Sequence, residues 1–209
     1  MKSFTAAMVL GLTAAATAAP SARASKRQAP LCILNSVMNN PQPVDVQASI
    51  NQWNTDVNMV NAFLNNVANI LHDPAELLSQ AQTAFIFASD EPCQLMTLAS
   101  QTDFSTDVGS STNSFGCAVN DLMAVFQTHV LNNLVTVTSH PTDVPGAIAA
   151  VADINNFRCC NVLPDADVLW LASADDNGIS NVVQFTAGRP DACATITCDL
   201  ATQCKALPS

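Results

Sequence analysis

The sequence predicts an all-α domain: a disulfide-stapled bundle of five or six helices with a loop-rich C-terminal tail. Three observations lead there. Between Val46 and Leu71 apolar residues recur at three- and four-residue steps, the spacing of one helix face. Pro74 and Pro92 stand where later helices would begin, in the first turn where a missing N–H costs nothing. Eight cysteines, Cys32, Cys93, Cys117, Cys159, Cys160, Cys193, Cys198 and Cys204, form an even set suited to four bridges.

The first helix carries Val46, Ile50, Trp53, Val57, Val60, Phe63, Leu64, Val67, Ile70 and Leu71 as its stripe. Asn51, Asn54, Asn58, Asn61, Asn65 and Asn69 recur at the same steps on the other side, with Asn66 beside them. At roughly 0.6 kcal/mol each relative to alanine, seven asparagines cost about 4 kcal/mol of helix propensity, so tertiary packing must hold this helix. The amide ladder suits a solvated face in a chain that avoids lysine; the alternative is an amide surface for glycans or a partner.

A second helix starts near Asp73 and Pro74, with Leu77, Leu78, Ala81, Ala84, Phe85 and Ala88 on one side. Pro92 opens a short third one through Cys93, Leu95, Met96 and Leu98. After a polar loop from Asp103 to Gly116, a long helix runs from Cys117 to about Val137, with Val119, Leu122, Met123, Phe126, Val130 and Leu134 facing inward. Val144 to Phe157 and Asp165 to Ser173 are two more helices. Beyond Asp175 the chain is loop-like, with a brief strand expected at Ile179 to Thr186.

Charge divides the chain. Four of the seven basic residues precede position 28, whereas all seventeen acids follow it. Lys2, the apolar stretch from Phe4 to about Ala15 and the small residues Ala16-Thr17-Ala18 have the pattern of a signal peptide over residues 1–18. Residues 19–27 form a short propeptide ending in Lys26-Arg27, and cleavage there would expose Gln28, which tends to cyclise. Residues 28–209 then make a single helical domain, large enough to bury its own core. No segment has the length and apolarity of a membrane span, so no integral membrane segment is expected.

From Gln28 onward only Arg158, Arg189 and Lys205 stand against the seventeen acids, a formal charge of −14. Nucleic acid is excluded as a natural partner, because three scattered cations make no phosphate-binding footprint. Acidic headgroups are repelled too, which leaves apolar, neutral or cationic partners. Eight cysteines behind a secretory leader imply oxidation rather than zinc, and no C-x2-C unit is present. The doublet Cys159-Cys160 is expected to tie two elements to one point, and the tail cysteines lie close enough for one local bridge.

Catalytic options are few. His72, His129 and His140 are the three histidines, tyrosine is absent, and no nucleophile elbow, His-x-x-x-His pair or phosphate loop occurs. His72-Asp73 resembles the histidine-aspartate pair of secreted phospholipase A2, but at a helix junction it suits a cap. Ser173 to Gly178 has oxygen side chains at alternate positions, as a calcium loop does, yet its first position is Ser and its twelfth Gln184; a turn fits better. Asp165 and Asp167 are the carboxylates a hydrolase would draw on. No catalytic, cofactor-binding or metal-ligating residue is assigned.

The leader, the dibasic site and the acidic, cysteine-rich body resemble the small secreted cysteine-rich proteins of filamentous fungi, whose precursors are cut at such sites by kexin-type proteases. Ile50 to about Ala88, with Asp56, Val57, Val60 and Leu64 on a long helix leading to Pro74, is similar to fungal cell-wall mannoproteins and hydrophobic-surface-binding proteins. That resemblance implies a helical bundle that holds lipids or coats apolar surfaces. The expected function is therefore an extracellular, non-enzymatic module presenting or enclosing apolar surface at a cell wall or host interface. An effector docking on a host protein and an acid-tolerant hydrolase are the alternatives.

Overall fold

The computed structural model describes residues 40–101, 114–199 and 204. The leader, the processing pair Lys26-Arg27, Cys32 and most of the polar loop lie outside them. All regular structure among the described residues is helical. The segments are α1 (Pro43–Ile70), α2 (Pro74–Ala88), α3 (Glu91–Ala99), α4 (Ser114–Val125), α5 (Asn132–Ser139), α6 (Val144–Phe157) and α7 (Leu163–Asp176). A π-helical turn at Phe126–Leu131 joins α4 to α5, and a second at Arg158–Val162 joins α6 to α7. None of these helices is long and apolar enough to cross a membrane.

α1 is the axis of the bundle, packing against α2, α3 and α7, while α5 sits between α2 and α6 and α4 lies on α7. Its apolar stripe is buried as its spacing requires, from Val46 through Ile50, Trp53, Val57, Val60 and Leu64 to Ile70. At its centre Trp53 meets Trp170 of α7 edge to face, with ring centroids 5.8 Å apart. That arrangement sets the positive edge of one ring on the negative face of the other.

Helix ends follow local chemistry. Asp73 caps α2 by accepting hydrogen bonds from the Ala75 and Glu76 amides, both at 3.1 Å. Asp143 does the same for Gly146 at the start of α6. α7 ends at Gly178, whose φ of 65° is open to glycine without steric cost. The Ile179 amide reaches back to the Ala174 carbonyl and the Gly178 amide to that of Asp175, a Schellman stop. The segment from Ser173 to Gly178 is thus the end of a helix.

The structure revises four expectations. Ile179 to Thr186 forms turns rather than a strand, because no neighbouring strand offers it a ladder of hydrogen bonds. Met123 faces outward at 60% exposure, since the buried stripe of α4 is carried by Phe115, Ala118, Val119 and Leu122. The β-branched end of the long helix continues to Ser139, its threonines bonding back to carbonyls one turn earlier. No bridge is local to the tail: Cys117 pairs with Cys204, Cys159 with Cys193 and Cys160 with Cys198. Cys93 is disulfide-bonded as well.

Both partners of the Cys159-Cys160 doublet therefore lie in the C-terminal tail, so one π turn anchors that tail twice. These closed loops span 34 and 38 residues, for which the chain-entropy relation gives about 3 to 4 kcal/mol each. Differential alkylation of a Cys193→Ser variant, read by fragmentation mass spectrometry, is expected to label Cys159 and leave Cys160 bridged to Cys198. Label on Cys160 instead would contradict the assigned pairing.

Candidate functional site

A buried charge network sits where α1, the start of α3 and the second π turn meet. Arg158 is fully buried and donates from Nη1 to Glu91 Oε1 at 2.9 Å. The other carboxylate oxygen of Glu91 accepts from the Trp53 indole at 3.1 Å. Arg158 Nη2 lies 3.4 Å from Asn61 Oδ1 and 3.5 Å from the Val57 carbonyl, while its Nε has no partner. Beside this pair, Gln94 donates to Asp90 at 2.6 Å and accepts from Ser49 at 2.9 Å. Asp90 is the N-cap residue of α3 and Glu91 lies in its first turn, where the helix's free amide ends favour negative charge.

An apolar cleft of about 270 Å³ opens over this network. Trp53 and Glu91 form part of its wall; Leu95 and Met96 of α3 face Leu122 and Met123 of α4 across it. The first π turn completes the lining with Phe126 and Leu131. Those two residues are five apart, a spacing that a π turn, with its i to i+5 hydrogen bonds, brings to one side. Met96 and Met123 are 41% and 60% exposed at the rim, flexible side chains on an otherwise rigid frame.

A third cluster clamps the first π turn to α6. His129 Nδ1 lies 2.9 Å from Asp153 Oδ2, Asn133 donates to the same oxygen at 2.6 Å, and the imidazole stacks on Phe157. It ties α5 and the first π turn to α6, and none of its residues lines the cleft.

The hydrolase candidates do not converge. His72 is exposed at the α1–α2 junction, beside the capping Asp73. Asp165 is buried against α4, whereas Asp167, two residues on and so on another side of α7, accepts from the Ala187 amide and from Arg189, both at 2.6 Å. Burial pushes the Asp167 carboxyl up, opposed by those two donors. Asp165 has no donor at either oxygen. Its burial, with the Asp121 carboxylate nearby, pushes it up to about 9, so it is held as a neutral acid. Asp56 of α1 is likewise pushed up to about 9 by burial, with Gln52 opposing and Glu91 and Asp90 adding to the rise.

The asparagine ladder is solvated only in part: Asn51, Asn58 and Asn69 are exposed, while three others meet the chain's own C-terminal segment. Asn61 donates to the Gly188 carbonyl at 2.9 Å, Asn65 accepts from the Asp191 amide at 2.8 Å, and Asn54 meets Gln184 at 3.5 Å. A Cβ at Gly188 would lie 2.7 Å from Asn58 Oδ1, so a larger residue there would have to displace the end of that exposed side chain. The amides thus seat the chain's own C-terminal strap.

Spacing alone did not single out Glu91, Arg158 or the cleft. The available signal was Arg158 itself, one of three cations after residue 28 and adjacent to the cysteine doublet. Comparison of the chain with protein-family models, with curated proteins and with solved structures gives no match.

Asp56 and Asp165 impose a pH dependence. Their folded-state pKa values lie above the unfolded 3.8, so the folded protein binds more protons between these limits. The stability they contribute is complete below about pH 4 and declines toward pH 9, at up to about 1.4 kcal/mol per pH unit for each carboxyl. Melting temperature is expected to fall as pH rises from 4 to 8, and Asp165→Asn to flatten that fall while changing little at pH 4. A rising or level profile in the parent protein would contradict this account.

Proposed function

We propose that this protein is a secreted, non-enzymatic binding protein that takes a small apolar ligand, or an apolar group displayed on a surface, into the cleft between α1, α3 and α4. The observation that carries the reading is the cleft: an aromatic and aliphatic hollow whose polar side chains are Glu91 and Gln127, on a surface otherwise rich in acids and amides. Its volume is close to the lower end of small-ligand sites, roughly 300 Å³, which suits one acyl chain or ring system. Disulfide bonds and the leader pattern support an extracellular setting, and the proposed place of action is a cell wall or host interface.

Docking on a host protein is the second reading. Val182 and Phe185 support it, being 51% and 39% exposed on the C-terminal strap that the disulfides stiffen. In this reading the strap, not the cleft, makes the contact.

Titration of the mature protein with an environment-sensitive apolar fluorophore is expected to give saturable, one-to-one binding. Met123→Trp puts a bulky ring across the rim at an exposed position, so it should weaken binding about tenfold, or 1.4 kcal/mol, with an unchanged melting temperature. Equal affinity in the two proteins would remove the cleft as the site and favour the strap.

A further inference from the structure

Resting on the cleft reading, we infer that the occupant is a cationic amphiphile: one apolar chain or ring system bearing a protonated amine, received by Glu91. Three observations support this class over the fatty acids that an apolar hollow would otherwise suit.

The first is the polar wall. Glu91 is the ionisable group that lines the cleft. Its two oxygens each hold one hydrogen bond, from Trp53 and from Arg158, and a carboxylate offers about four lone-pair sites, so acceptor capacity remains on both. Glu91 has no donor to offer an anionic head, and the neutral amide of Gln127, the other polar side chain of the lining, donates to Asn132 at 3.0 Å.

The second is the local charge. Asp56, Asp90 and Glu91 lie together, all buried, and Arg158 is the cation among them. Asp56 keeps one oxygen without a partner, and its raised pKa leaves it neutral at pH 7. Asp90 and Glu91 against Arg158 then leave one negative charge. The N-terminus of α3 offsets part of it, which lets the free protein tolerate the imbalance, and one bound monocation would neutralise the remainder.

The third is the field of the whole chain. With −14 formal charges from Gln28 onward, long-range attraction favours a cation and opposes a carboxylate or phosphate head.

The test compares dodecylammonium, dodecanol and dodecanoate, each below its micelle concentration, by calorimetry on the mature protein at pH 7. A charge-assisted hydrogen bond contributes roughly 1.5 to 3 kcal/mol, so dodecylammonium is expected to bind at least about tenfold more tightly than dodecanoate, with dodecanol between them. Glu91→Gln should collapse that preference, read as the ratio of amine to carboxylate affinity within the one variant. Asp90→Asn keeps the Glu91–Arg158 pair intact, removes one charge and should narrow the preference even if Glu91→Gln fails to fold.

Dodecanoate binding as tightly as the amine, with Met123→Trp blocking both, would overturn the inference and leave the apolar cleft standing. Amine binding that survives Met123→Trp is ion pairing with the acidic surface and also overturns it. If none of the three binds, the cleft reading itself fails.

Discussion

The buried contact between Arg158 and Glu91 is the constraint around which the bundle is arranged. An unpaired guanidinium at zero exposure would be strongly destabilising, so Arg158 and the Glu91 carboxylate must arrive together. Arg158 sits on the π turn between α6 and α7, and Glu91 on the first turn of α3. Trp53 and Asn61 of α1 supply the remaining partners. One interaction therefore fixes the second half of the chain against the first. Its stabilising value relative to a well-packed apolar pair is small, but loss of either partner alone typically costs 3 to 5 kcal/mol. Its effect is on arrangement more than on stability.

The same π turn carries Cys159 and Cys160, so the electrostatic anchor and two covalent anchors fall within three consecutive residues. From there the C-terminal strap is drawn along α1, where the asparagine ladder meets it. Asn61 belongs to both systems: its amide nitrogen holds the Gly188 carbonyl and its oxygen faces Arg158. A helix built from poor helix formers is thus held by what lies on both of its faces. The amides are exchanged from water to backbone, a net contribution of about 1 kcal/mol each where the bond is well formed.

The acidity of the chain shapes its interior as well as its surface. Asp56 and Asp165 are stored as neutral acids, which makes low pH the condition of greatest stability for these two groups. Over the charge network the cleft combines a flexible methionine rim with a rigid wall. In the binding role proposed for it, such a rim would accommodate variation in the apolar part of a ligand while the wall would discriminate its head.

The sequence by itself determined the helical class, the apolar faces of α1 and α2, the proline starts and the cap at Asp73. Each depends on residues within a few positions of one another. Spacing along one helix decides which face is apolar, and a side chain two residues before an amide decides a cap. What only the tertiary structure decided is which distant groups meet. The ladder looked solvated because its partner, the strap at Gln184 to Asp191, lies more than a hundred residues away. The disulfide pairing was open among many connectivities for the same reason. Met123 departed from its expected face because only packing shows which side of α4 is covered, and a π turn has no periodic signature that would place Phe126 and Leu131 together. Glu91 and Arg158 are 67 positions apart, and nothing local marks either as the other's partner. Burial and pairing are properties of the folded whole, and for that reason the candidate site became visible only there.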